Sequence, residues 1–115
     1  MTPFGLFVRQ KRAVKNIALK DMARAIGLTP SYLSALELGK KGRPSVVLIQ
    51  KIAQYLFLNP EELALLYEAA CQSDKRIVIP DNVGPNVYRF VHDIMNTVTS
   101  LSTNDIEVIQ CRAID

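Results

Sequence analysis

The stretch GLTPSYLSALELGKKGRPS, Gly27 to Ser45, gathers side chains suited to holding a ligand. Ser31 and Ser34 carry hydroxyls, and Lys40, Lys41 and Arg43 carry fixed positive charge. Hydroxyls donate and accept hydrogen bonds, whereas ammonium and guanidinium groups only donate. The combination suits binding to a polyanion rather than making or breaking bonds. Catalytic patterns are missing: there is no G-x-S-x-G, no phosphate-cradling glycine loop, no evident carboxylate pair and no metal-ligand spacing. Cys71 and Cys111 lack any C-x-x-C context, so neither a disulfide framework nor a zinc site is supported. Both cysteines read as small apolar core or interface residues. His92, the one histidine, reads as a polar edge residue. No enzymatic activity, cofactor or metal is expected.

The formal charge of +3 conceals a division. Residues 1–51 hold ten Lys/Arg against two acids, a formal +8, and residues 52–115 hold four against nine, a formal −5. A cationic half of this kind is the electrostatic footprint of a polyanion binder, because neutralised phosphates release condensed counterions. A merely solvated basic face is the alternative that charge alone leaves open. A length of 115 residues accommodates one modest core and an appendage. No window approaches the apolar run of a membrane span, and MTPFGLFVRQKR places its basic residues after its apolar ones, the reverse of a secretory signal. A soluble cytoplasmic protein is expected.

Elements able to position Gly27 to Ser45 are legible around it. Phe4, Phe7, Val8 and Val14 suit a first helix with one buried stripe. Leu19, Met22, Ala23 and Ile26 define a second, stopped by Gly27. Thr29 as cap and Pro30 at the first helical position open a third, with Leu33 and Leu36 inward and Gly39 as its stop. Ser45 caps a fourth, faced by Val46, Ile49, Ile52, Ala53 and Leu56, and Asn59, Pro60, Glu61 and Glu62 begin a fifth. In SDKRIVIPDNVGP, RIVI is strand-like and the rest turn-forming, which predicts a linker with a short extended segment. Beyond it, Val87, Phe90, Val91, Ile94, Met95 and Val98 mark another helix. Ile106, Ile109 and Ala113 mark a last one after a capping Ser/Thr. The expected domains are residues 1–73, a linker over 74–86, and a helical dimerisation or interaction region over 87–115.

Helices two and three are too short to be stable alone and must pack on the first, fourth and fifth. Only GLT separates them, with small Ala23 where they approach and Gly27 free to adopt positive φ. With MARAIGLTPSYLSALELG, the basic loop and RPS in view, residues 3 to about 70 resemble the Cro/cI, or XRE-type, helix-turn-helix domain of phage repressors and bacterial regulators. The resemblance implies an all-α fold: a five-helix lambda-repressor-like DNA-binding domain, followed here by a short extended segment and one or two C-terminal helices.

It also implies that the third helix lies in the major groove of double-stranded DNA. Pro30, Ser31, Ser34 and Ala35 then face the groove floor, Thr29 and Tyr32 stand near phosphates, and Lys20, Lys40, Lys41 and Arg43 contact the DNA backbone or reach into a groove. If Leu33 and Leu36 point inward, Ser31, Ser34 and Ala35 are exposed at about 100° per residue; small surface residues without a ligand remain the alternative. Two departures from the family pattern stand out: Leu19 where many members have glutamine, and Ala18 where a Ser/Thr cap is usual. They imply a weaker phosphate clamp at that helix end, and because the recognition surface lacks Arg, Asn and Gln, few bidentate base contacts are expected. By the same resemblance Glu37 pairs with Arg12 as a structural ion pair.

One such domain covers half a site, so a homodimer is expected, with KRIVI or VYRFVHDIMNTV as candidate contact elements. These segments covering their own chain is the alternative. The expectation is a bacterial, nucleoid-associated repressor. Two other readings are an antitoxin, whose C-terminal half grips a toxin, and a helix-turn-helix domain whose basic face binds an acidic protein.

Overall fold

In the computed structural model, residues 1–114 are described, with side chains as far as Cys111. The elements are α1 (Pro3–Lys15), α2 (Leu19–Ala25), α3 (Pro30–Glu37), α4 (Val46–Tyr55), α5 (Pro60–Gln72), α6 (Pro85–Thr97), a single 3-10 turn (Val98–Ser100) and α7 (Thr103–Ile114). The chain divides into two units, Met1–Ile77 and Val78–Asp115.

Local chemistry starts each helix of the first unit except α2. Hydroxyl or amide oxygens of Thr2, Thr29, Ser45 and Asn59 accept from backbone N–H groups in the first turns of α1, α3, α4 and α5. The α5 start is reciprocal, since Glu62 also accepts from the Asn59 N–H. Ala18 offers α2 no side-chain cap. At the other ends, residues in left-handed backbone reverse the chain: Asn16, Gly27, Gly39 and Phe57 follow α1 to α4 in turn. Each sits in a Schellman pair of backbone bonds, such as Gly27 N to Arg24 O at 3.3 Å and Leu28 N to Ala23 O at 2.8 Å.

The core of the first unit is built from Phe4 and Val8 of α1, Met22 of α2, Leu33 of α3, Ile49 and Ile52 of α4, Leu56 just after it, and Leu66 of α5. The first and last of these helices are joined by Ser73. Its hydroxyl accepts from the Phe4 N–H at 2.9 Å and donates to Ala69 O at 2.6 Å. Lys11 pairs with Glu62 across the same helices, and the Lys15 ammonium donates to Leu56 O at the end of α4.

Three expectations need correction. Val14 is 83% exposed, because it falls about 120° round the helix from Val8. Val46 is 58% exposed in the first turn of α4, beyond the core that Ile49 and Ile52 reach. Of the core or interface reading of Cys71 and Cys111 the core alternative fails, since both are exposed; Cys71 lies about 140° round from Leu66, off the buried stripe of α5. RIVI, expected as an extended segment of a linker, lies in neither a helix nor a ladder among the described residues.

In the second unit, α6 buries none of its residues. Its face of Val87, Val91 and Ile94 is half-buried, while Phe90, Met95 and Val98 are exposed. Ser102 and Asp105 exchange side-chain-to-backbone bonds at 3.1 Å to start α7. Ile94, Val98, Leu101, Ile106 and Ile109 then surround a small apolar hollow. Of the face expected on α7, the Ala113 side chain lies outside the described residues.

Candidate nucleic-acid interface

The exposed side of α3 is set by how its buried side is held. Leu33 and Leu36 enter the core, so Ser31 is exposed and Ser34 and Ala35 are partly exposed on the opposite face. Three contacts from α1 converge on Glu37 in the last turn. Arg12 Nη2 donates to both carboxylate oxygens, at 2.6 and 3.0 Å, with Glu37 1% and Arg12 8% exposed. Thr2 donates to the Glu37 carbonyl through Oγ1 at 3.0 Å and through its N–H at 3.3 Å. Gly5 allows the approach, since a Cβ there would stand 2.0 Å from that same carbonyl oxygen. Direction, height and rotation of α3 are thus fixed from one residue by charge, backbone bonding and close contact.

The exposed face carries an open hollow of about 440 Å³. Leu19, Pro30, Ala35 and Leu38 form its apolar walls, and Ser31, Ser34 and Lys40 supply its polar groups. Beside it, the Lys41 ammonium lies 5.3 Å from the centre of the Tyr32 ring, a cation–π arrangement that steadies both side chains. The loop carrying Lys40 and Lys41 is shaped by two residues of positive φ, Gly39 and Gly42, and by buried Pro44. Lys40 N donates to Ala35 O at 2.9 Å, tying the loop to the helix.

Of the residues singled out from sequence, Pro30, Ser31, Ser34, Ala35 and Lys40 meet in the hollow. Thr29, Tyr32 and Lys41 are exposed along α3 and its loop, and Lys20 is exposed in the first turn of α2. Arg43 is turned away: its Nη2 lies 3.0 Å from Cys71 Sγ in the last turn of α5, which leaves its remaining N–H groups free to donate. Leu38 was missed by the sequence reading. Its spacing of three and four from Ala35 and Ser34 places it on their face rather than with Leu33 and Leu36.

The electrostatics favour an anionic ligand. The first unit holds twelve Lys/Arg against six Asp/Glu, a formal +6, and three of those acids, Glu37, Glu62 and Asp74, are paired with cations. The Lys11 hydrogen bond, helped by the Asn59 N–H, holds the Glu62 carboxyl below its ordinary value. No group of His, Cys, Asp and Glu able to hold a metal occurs among the described residues. No helix among them is long and apolar enough to cross a membrane.

Comparison with known proteins agrees with this geometry. The Helix-turn-helix family matches residues 8–63. An uncharacterized HTH-type transcriptional regulator, RghRB of Bacillus subtilis (strain 168), is 32% identical over 63 residues, 55% of this chain and 45% of the relative. The chain therefore spans just under half the length of that protein. No solved structure matches significantly. The tight α2–α3 turn, the five-helix core and the family match agree: residues 8–63 are similar to helix-turn-helix domains of the XRE type.

Proposed function

We infer that the chain is a DNA-binding transcriptional regulator, a repressor that sets α3 in the major groove of double-stranded DNA as a homodimer. The observation that carries this reading is the exposed face of α3. Two serines and an open hollow lie there between the cations of Lys20 and the Lys40–Lys41 loop. A major groove admits one α-helix, and phosphate contacts on either side set its register. Pro30, Ser31, Ser34 and Ala35 meet the base edges and Lys40 reaches into the groove, while Lys20, Thr29, Tyr32, Lys41 and Arg43 serve the phosphates. The relative's description as a transcriptional regulator points the same way.

Dimerisation is supported by the second unit. A stretch of this length whose longer helix buries nothing cannot stabilise itself, and Phe90, Met95 and Val98 await a cover. Two copies joined there bind two half-sites with the gain in effective concentration that tethering brings. Such a protein works in the bacterial cytoplasm, at the nucleoid.

Selection from random duplex DNA at physiological salt tests the reading, using the whole chain and a Ser31→Ala, Ser34→Ala, Lys41→Ala variant. The expected product is an inverted repeat with half-sites about 10 base pairs apart, which the variant fails to enrich. Three cations per protomer give a dimer up to six phosphate contacts, hence a slope of log affinity on log salt near about −5. No enriched motif, with a salt slope near zero, would sink the proposal and direct attention to a protein partner for the basic face.

A further inference from the structure

The hollow on α3 has a composition that goes beyond groove entry. None of the side chains lining it is Arg, Asn or Gln, the ones that make bidentate contacts to guanine or adenine. Four of the seven are apolar, and the rim holds one cation, Lys40. A bare apolar surface facing DNA phosphates and water gains nothing. Facing the groove floor, it has one chemical complement, the C5-methyl group that thymine alone among the ordinary bases presents in the major groove.

The geometry points to this hollow as a subsite for the major-groove edge of thymine. Leu19, Ala35 and Leu38 take the methyl, and Lys40 donates to O4. The proposal rests on the reading of α3 as the groove helix. The ligand chemistry, a 5-methylpyrimidine, has two sources, thymine and 5-methylcytosine, and the rim distinguishes them. The carbon next to the methyl carries an acceptor, O4, in thymine and a donor, the N4 amino group, in methylcytosine. Serine hydroxyls accommodate either, but a lysine ammonium only donates, so Lys40 favours thymine. Leu19 is central to this assignment: an apolar residue at the start of α2 replaces a polar contact with a wall. The hollow is wider than one methyl group, so consecutive thymines can share it.

The test uses the whole protein and the duplex obtained by selection. Each thymine is replaced in turn by deoxyuridine, which removes the methyl and leaves base pairing and O4 intact, and Kd is measured by fluorescence anisotropy. At one or two positions in each half-site, loss of the methyl is expected to weaken binding about fourfold, the worth of one buried methyl. In Leu38→Ser, an exposed site outside the core, that penalty is expected to shrink towards none, read as the ratio of the variant's own Kd values for the thymine and deoxyuridine duplexes. A 5-methylcytosine–guanine pair at the same position restores the methyl but opposes two donors, and is expected to bind no better than the deoxyuridine duplex.

A duplex selected normally but indifferent to deoxyuridine at every position would overturn the subsite and leave the groove-helix reading standing. Methylcytosine binding as well as thymine would overturn the assignment to thymine. Failure to select any duplex would remove the groove-helix reading and the subsite with it.

Discussion

The Arg12–Glu37 pair makes the sharpest prediction about what holds α3 in place. The Glu37 carboxylate is 1% exposed, and both its oxygens are served by one nitrogen, Arg12 Nη2. Arg12 Nε is buried without a partner. Burial of both ions is thus only partly compensated, while removing one partner leaves the other charge stranded. Breaking such a pair costs about 3–5 kcal/mol, whereas replacing both members by apolar residues of similar volume is neutral or stabilising by about 1–4 kcal/mol. At about 0.05–0.15 kcal/mol per residue, a unit of this size has only about 4–12 kcal/mol in total. Arg12→Met is therefore expected to remove about a quarter or more of the first unit's stability. Arg12→Met with Glu37→Leu is expected to lie within about 1 kcal/mol of the parent or above it. Urea denaturation of the four corners of the cycle at neutral pH, with slopes compared, reads the coupling directly. A single substitution costing under about 1 kcal/mol, or a double variant as unstable as the single one, would refute this account of the pair.

Four further outcomes are expected. Gly5→Ala drives a methyl into the Glu37 carbonyl and should lose about 2–3 kcal/mol; a thermal melt unchanged from the parent would show that α1 and α3 are not held this close. Phe57 is 86% exposed with φ +54 in a position that favours glycine, so Phe57→Gly should hold or gain up to about 1 kcal/mol in urea, and a clear loss would mean that its ring packs. The Glu62 carboxyl titrates below its unfolded value because of Lys11. Its contribution is therefore present above the ordinary carboxylate range and lost as pH falls through the lowered folded value. Parent and Glu62→Gln should converge in stability on acidification, and a pH-independent gap would contradict this. Phe90→Asp with Met95→Asp should shift the chain to monomer in sedimentation velocity while leaving the first unit's melt unchanged; a dimer that persists would place the interface elsewhere.

Much of the fold was legible because it is written in local chemistry. Thr29, Ser45 and Asn59 are caps whose bonds close within three residues. Gly27 and Gly39 sit at helix ends where positive φ is required, and the stripe from Leu19 to Leu36 has the right period for two short helices. Phe57 does the same work as those glycines yet carries no sequence signal for it, since its left-handed backbone is imposed by Leu56 and Leu58 packing on either side. Gly5 is illegible for another reason. It reads as a weak point within α1 until the backbone of a residue 32 positions later is seen against it. On the face of α3, hydroxyls and cations were visible as types, but the apolar wall that Leu19 and Leu38 make with Pro30 and Ala35 exists only once α2 and α3 are crossed.

The Ser73 clasp between α1 and α5 also orders events in time. Phe4 and Ser73 are 69 positions apart, whereas α2 and α3 meet across a turn of a few residues. At a synthesis rate of about 5–20 residues per second, about 3–14 s separate the appearance of these two residues, against microseconds for a helix to form. For that interval Phe4 and Val8 have no finished core to enter. The residues of α3 are thus made before the scaffold that stabilises and aims them as a helix.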